Sequence, residues 1–390
     1  MKVGIVGCGV ISRRYAQNAD AFDSFELVAC GDLDVACADA LAAEHGLAAL
    51  PVERLLADPD IDVVLNLTPS SAHAAVTRAA LAAGKHVYSE KPLAVDVTAA
   101  AELLDEADRH GLRIGCAPDI FLGGAYQAAR RLLAEGAIGE PLAVDAAMIV
   151  GGADAWHPNP EQFFRDGAGP LLDMGPYYLT AIVALLGPIR RVAAFARSRR
   201  AERTISTGPR AGERFAVTTP THVAATMELA GGVTANLVAS FEADDRYVCD
   251  FQLHGTEGVL SLPDPNAFGG RLRLRRGQGK WQDVPYASRG AREARGIGLD
   301  DMVQAIAAGN GHRASGRLAL HVVDAARSIL RAAAAGRTER VETAVAQPAP
   351  LPVEPAAGPQ DRKGGPGAAF AACAGEDLNL HGVAPTSPSS

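Results

Sequence analysis

The chain has 390 residues, 48% of them hydrophobic and 21% charged, the composition of a globular protein long enough for about two cores. Its formal net charge of −8 argues against a nucleic-acid partner, whose phosphates need a concentrated basic surface. No run of about 18 apolar residues reads as a membrane span, and the six cysteines form no Cys-x-x-Cys pair, so no metal is expected.

The chain opens directly on a strand, without the charged and apolar regions of a secretory leader, so a reducing cytoplasm is the expected compartment. Strand and helix signals then alternate, the pattern of a parallel sheet covered by helices. Strands are expected at 3–7, 25–31, near Ala48 and Leu50, and at 63–67, 86–89 and 113–116. Helices are expected at 11–19, 35–44, 72–83 and 97–110. Next come a helix over 124–135, a strand over 142–150, a Gly/Pro-rich loop over 151–169 and a helix over 175–186. Strands at 191–196, 222–229, 233–241, 248–254, 258–262 and 271–275 are joined by turns such as Ala230-Gly231-Gly232, so a largely antiparallel second sheet is expected. The arginines between 190 and 203 read as a solvated face, with a phosphate patch as the alternative. Helices over 299–308 and 315–335 are expected to return to the first domain. The expected layout is a doubly wound dinucleotide-binding domain over 1–118, an α/β domain over 119–350, and a Pro/Gly/Ser-rich tail over 356–390 expected to be disordered.

Gly7-Cys8-Gly9-Val10-Ile11-Ser12 joins the first strand to the first helix. It follows the dinucleotide pattern G-x-G-x-x-G except at Ser12. Gly7 permits the tight turn, Gly9 lets the backbone approach a pyrophosphate, and the helix start at Val10 and Ile11 offers N–H groups to the anion. Ser12 keeps packing close and adds a hydroxyl donor. Asp32 ends the second strand about 20 residues after the turn, where an acid holds the ribose hydroxyls. It also fits as a helix N-cap, a role open to Asp34. A carboxylate there repels a 2′-phosphate, so NAD is favoured over NADP, although Arg13 and Arg14 could hold that phosphate. Thr68 and Pro69 follow the fourth strand and are expected to face the cofactor at the carboxyl edge of the sheet. His73 reads either as a helix-start residue or as a cofactor neighbour.

The fifth strand ends in Ser89-Glu90-Lys91-Pro92. Later come Gly139-Glu140-Pro141, Leu171-Leu172-Asp173-Met174-Gly175 and Gly255-Thr256-Glu257-Gly258. This order of motifs over about residues 1–350 resembles the Gfo/Idh/MocA oxidoreductases, the glucose–fructose oxidoreductase and inositol dehydrogenase family. The resemblance implies a Rossmann domain followed by an α/β domain whose open, mostly antiparallel sheet commonly builds dimers or tetramers. It also implies that Glu90 lies by the nicotinamide and that Lys91 contacts the reacting hydroxyl. Many members carry Asp-x-Gly-x-His-x-x-Asp on a second-domain helix. Here Asp173 and Gly175 are kept, Tyr177 stands at the histidine position, and Thr180 stands at the distal acid position.

The expected catalytic set is therefore Lys91, Tyr177 and Asp173. Burial of Lys91 beside a cofactor would lower its pKa and suit proton handling. The Lys91 ammonium is expected to bring the Tyr177 phenol down from about 10, with Tyr178 as the competitor if the helix phase shifts by one residue. Asp173 reads as an N-cap, as a carboxylate beside a substrate hydroxyl, or as both. Trp156 and His157 could support and bind a sugar ring or simply stiffen their loop. Asp119 and Phe121 read as cleft lining or as ordinary connection geometry, and His321 as a packing residue. The expected activity is hydride exchange between NAD and a secondary alcohol of a sugar, polyol or sugar derivative, in a homodimer or homotetramer. Glycoside cleavage through transient oxidation and a nonenzymatic NAD-binding sensor are the alternatives.

Overall fold

A computed structural model describes residues 1–243, 248–286 and 294–352; the tail over 356–390 lies outside them. The first domain alternates strand and helix: β1 (Lys2–Val6), α1 (Val10–Asn18), β2 (Glu26–Gly31), α2 (Val35–His45), β3 (Ala48–Ala49), α3 (Val52–Ala57), β4 (Val63–Asn66), α4 (His73–Ala82), β5 (His86–Ser89), α5 (Val97–Arg109) and β6 (Ile114–Cys116). All six strands run parallel in the order β3-β2-β1-β4-β5-β6. Helices cover both faces, which is why β1 and β4 are almost continuously apolar and buried. The order reverses between β1 and β4, so a crevice for a ligand opens at their carboxyl ends.

The second domain contains α6 (Gly124–Ala134), β7 (Pro141–Ile149), the single turn α7 (Pro170–Asp173), α8 (Gly175–Leu186), β8 (Ile189–Arg197), β9 (Glu202–Thr204), β10 (Arg214–Ala216), β11 (His222–Leu229), β12 (Thr234–Ser240), β13 (Val248–Gly255), β14 (Gly258–Ser261), β15 (Arg273–Arg276), β16 (Gln282–Asp283), α9 (Ile297–Ala308), α10 (Gly316–Ala335) and β17 (Glu339–Arg340). Nine strands form one open sheet, β16-β15-β14-β13-β7-β12-β11-β8-β17. Its pairs are antiparallel except β7 with β12, which run parallel. The alternation expected of a sheet covered on one face is clear in β11, where Val223, Ala225, Met227 and Leu229 are buried and Thr226 is exposed.

Not expected from sequence were α3, α7, the separate β9–β10 ribbon, the short strands β16 and β17, and the parallel β7–β12 pair. The late helices lie against the six-stranded sheet's side of the molecule, α9 against β6 and α10 against α5 and β6. The Cys116 amide donates to the Ala314 carbonyl at 2.9 Å, and the Arg327 guanidinium donates to the Val95 carbonyl. His321 is a packing residue, as read. The Ile189 amide donates to its Nε2 at 3.0 Å, Nδ1 lies 3.0 Å from the Thr343 hydroxyl, and burial holds its pKa low.

Candidate active site

The glycine-rich turn lies at the crevice. Gly7 has φ +100°, and a Cβ there would lie 2.6 Å from the Leu67 carbonyl carbon and the Thr68 nitrogen. Only glycine permits this contact between the ends of β1 and β4. A Cβ on Gly9 would project into open space instead, the space a pyrophosphate needs to approach the α1 N-terminus. There the first N–H groups, including those of Val10 and Ile11, lack intrahelical acceptors. Ser12 takes the place of the third glycine in a fully buried position. Its hydroxyl donates to the Gly9 carbonyl at 2.6 Å, so it braces the turn rather than offering itself to phosphate.

Asp32 stands across this turn. It accepts from the Cys8 amide at 2.7 Å and the Asp34 amide at 2.9 Å, whereas Asp34 caps α2. The carboxylate is thus locked at the end of β2, and the N-cap alternative falls to Asp34. These residues fit an NAD dinucleotide.

At the end of β4, the fully buried Asn66 accepts from the Thr68 hydroxyl at 2.7 Å and donates to the His73 carbonyl and the Thr77 hydroxyl. His73 is 1% exposed, with Nδ1 2.6 Å from the Pro92 carbonyl and Nε2 2.7 Å from the Thr68 carbonyl. A neutral imidazole donates to only one of these, and burial works against the charged ring. His73 therefore ties the Thr68-Pro69 turn to the Lys91-Pro92 turn from beneath.

Glu90 is held from two sides. Its Oε1 accepts from the Tyr15 hydroxyl at 3.0 Å and its Oε2 from the Lys91 amide at 3.0 Å. Lys91 crosses to the second domain, where Nζ donates to Asp173 Oδ1 at 2.9 Å and to the Asp173 carbonyl at 2.7 Å. The two side chains are 13% and 15% exposed. Asp173 ends α7 and does not cap α8, whose cap position is Met174. Lys91 Nζ also lies 5.2 Å from the centroid of the Tyr177 ring. Tyr178 projects elsewhere and donates to Asp264 at 3.1 Å. The structure thus gathers Glu90, Lys91, Asp173 and Tyr177, and separates the two tyrosines.

Both expected pKa shifts differ from the sequence reading. Burial does work against the Lys91 ammonium, but the Asp173 carboxylate, with Tyr177 and Glu90 beside it, outweighs that effect, and the net shift is upward. Lys91 is a fixed cation at neutral pH. Burial also pushes the Tyr177 phenol up, to about 12, although Lys91 and Arg295 pull the other way. The ammonium acts in the expected direction and loses to desolvation.

Other candidates have mainly packing contacts. Asp119 is buried and accepts from the Gly298 amide at 2.9 Å and the Gly296 amide at 3.3 Å, holding the start of α9. Phe121 is buried in the core, where its carbonyl accepts from Gln127. His157 is buried edge-on against Trp156 and Phe163, with the Asn159 amide donating to its Nδ1 at 2.9 Å. Trp156 is partly exposed and lines a recess beside Asp173. Sequence reading missed Tyr15, Asn66 and Arg295. Tyr15 could have been suspected from its place on the buried face of α1. Arg295 precedes α9, far along the chain, and carries no local signal.

Two family models match the chain. Residues 1–117 match the oxidoreductase family with an NAD-binding Rossmann fold, and residues 126–261 match the GFO/IDH/MocA C-terminal domain. The chain belongs to this family of NAD(P)-dependent oxidoreductases. It is 29% identical to 1,5-anhydro-D-fructose reductase of Ensifer adhaerens over 265 residues, 66% of this chain and 74% of that protein. It is 32% identical to dTDP-3,4-didehydro-2,6-dideoxy-alpha-D-glucose 3-reductase of Streptomyces violaceoruber, over 67% of this chain and 72% of that one. An NAD-binding oxidoreductase from Klebsiella pneumoniae superposes with a TM-score of 0.78 at 25% identity, covering 87% of this chain and 98% of that chain. Among the described residues, no helix is long and apolar enough to cross a membrane.

Proposed function

We propose that the protein interconverts a carbonyl and a secondary alcohol on a sugar or sugar derivative, with NAD as its cofactor. The observation that carries this reading is the Lys91 ammonium, clamped by Asp173 beside Tyr177 at the mouth of a dinucleotide crevice. Two of its three N–H bonds go to Asp173, and the third remains for a substrate oxygen.

The Gly7–Gly9 turn and Asp32 would hold NAD(H), which would supply the hydride chemistry at the carbinol carbon. In reduction, Lys91 holds the carbonyl oxygen and stabilises the negative charge that develops there. Tyr177 then gives its phenol proton to that oxygen, completing the alcohol. In oxidation the same proton leaves the hydroxyl toward Tyr177. With the phenol pushed up to about 12 and Lys91 raised, both groups are proton-loaded at neutral pH. That state supplies the proton that reduction needs; the two relatives described above are named as reductases, and others are named as dehydrogenases.

Purified protein is expected to reduce keto sugars or oxidise sugars, polyols or inositols in a panel followed by NADH absorbance. NAD is expected to outperform NADP, and Asp32→Ala to narrow that gap by about tenfold or more, the scale of lost hydrogen bonds to a charged group. A parent protein that prefers NADP refutes the role given to Asp32. Aglycone release from glycosides without net NADH refutes simple hydride exchange.

The same reading includes self-association through the outer face of the nine-stranded sheet and a reducing, cytoplasmic compartment. Phe195 on that face is 84% exposed and offers apolar area to a second copy, and the five described cysteines are free thiols. Sedimentation is expected to show a dimer or tetramer, and Phe195→Glu to shift it toward monomer. A parent protein that sediments as a monomer at micromolar concentration rules this out.

A further inference from the structure

A recess opens beside Asp173 on the second-domain side of the cleft. Its walls include Met148 and Val150 at the end of β7, Trp156 and Phe163 from the following loop, Met174 before α8 and Phe241 after β12. The recess is narrow and takes a group of about methyl size rather than a whole ring. Among the described residues, the polar side-chain groups on its wall besides Asp173 are the Trp156 indole and the Cys249 thiol. That thiol is already engaged with the Tyr178 phenol.

Asp173 itself is half used. Oδ1 holds Lys91, whereas Oδ2 is buried without a hydrogen-bond partner. Buried polar atoms are normally satisfied, so Oδ2 is placed to accept from one hydroxyl of a ligand that also contacts Lys91. Beyond that acceptor the wall is thioether, aliphatic and aromatic. A hydroxyl pushed against Met148, Val150 and Phe241 would lose its water, and among the side chains of the wall the Trp156 indole N–H is the one donor that could replace it. A methyl or methylene there loses nothing and buries apolar area.

We infer that the substrate presents a deoxygenated edge to this recess, so that the protein acts on deoxy sugars or their derivatives in preference to the fully hydroxylated parents. This rests on the sugar-oxidoreductase reading above. One hydroxyl donated to Asp173 Oδ2 sets the orientation, and the apolar recess selects against oxygen at the position that enters it.

Matched pairs that differ by one oxygen test this: D-fucose with D-galactose, D-quinovose with D-glucose, and L-rhamnose with L-mannose. Each is titrated calorimetrically into the full-length protein saturated with NAD, and each is assayed separately for NADH. In at least one pair the deoxy member is expected to bind about 10- to 100-fold more tightly, the discrimination an apolar pocket exerts against an added hydroxyl. Val150→Thr and Met148→Gln supply a hydroxyl or an amide to the wall, and each is expected to narrow the preference. Equal or tighter binding of the hydroxylated members across all pairs overturns the inference. So does the absence of binding by all three deoxy sugars. Preferential binding of a deoxy sugar without NADH supports the recess assignment and counts against the oxidoreductase reading. NADH formed equally well from both members of every pair has the opposite meaning.

Discussion

Lys91→Met is expected to lower hydride transfer by about 100- to 10,000-fold, the range for a positioned acid or charge-stabilising donor. Methionine keeps much of the length and apolar body of the side chain but carries no N–H. The oxygen that Lys91 would hold then develops negative charge with no cation beside it. Asp173 also loses the partner of its carboxylate and its carbonyl, and an uncompensated, mostly buried carboxylate costs about 3–5 kcal/mol at the upper end. Thermal unfolding must therefore accompany the kinetics. Asp173→Asn separates the two effects, because it removes the charge and keeps an oxygen acceptor and the backbone carbonyl. It is expected to lose less activity than Lys91→Met. NAD affinity is expected to survive in Lys91→Met, since the Gly7–Gly9 turn and Asp32 are untouched. Single-turnover kinetics beside an NAD titration measures both. Hydride transfer within threefold of the parent in a folded Lys91→Met protein would remove Lys91 from the chemistry.

The parts of this site that were legible in sequence are those fixed by neighbours along the chain. The Gly7 turn, Asp32 and the Glu90-Lys91-Pro92 triplet each follow a strand, and in a parallel sheet all strands end on one edge. Three short stretches, read separately, therefore converge without any knowledge of packing. Helix phase was not settled by sequence: Tyr177 and Tyr178 competed for one role, and one residue of α8 turns them by about 100° onto different surroundings. The sign of the net pKa shifts was not legible. It depends on how completely Tyr177 and Lys91 are buried and on which charges stand around them, and those charges come from the turn after β5, from α7 and from the segment before α9. Asp119 illustrates the same limit. Its place after β6 left cleft lining and connection geometry both open, and the two amides it binds lie about 180 residues later, at Gly296 and Gly298. The parallel β7–β12 pair left no trace either, because strand direction is set by a long connection rather than by the strands' own alternation. The recess beside Asp173 is the most distant from sequence. Its walls come from β7 and the loop after it, the end of α7, the residue before α8, the residue after β12 and β13, and only their juxtaposition makes it mostly apolar.

Tyr177→Phe is expected to cost hydride transfer a factor of about 100 to 10,000 and, unlike Lys91→Met, to change the pH profile more than the binding of either ligand. The phenol is pushed up to about 12 chiefly by burial, with Lys91 opposing. Below that value the proton is present, so reduction by the parent is expected to be nearly flat from pH 6 to 9. Oxidation needs the phenolate, whose fraction rises about tenfold for each pH unit below the pKa. Its rate is therefore expected to climb steadily over the same range. Phenylalanine retains the ring that lies near the Lys91 ammonium and removes only the ionisable oxygen. Reduction should fall, and the climb of oxidation should flatten. Tyr178→Phe serves as the control. Its hydroxyl is committed to Asp264, so the expected result is a loss of about 1 kcal/mol of stability with hydride transfer close to that of the parent. If Tyr177→Phe keeps both rate and profile, Lys91 handles the proton alone and the phenol is reduced to a wall of the cleft. A large loss confined to Tyr178→Phe would contradict the separation of the two tyrosines by α8.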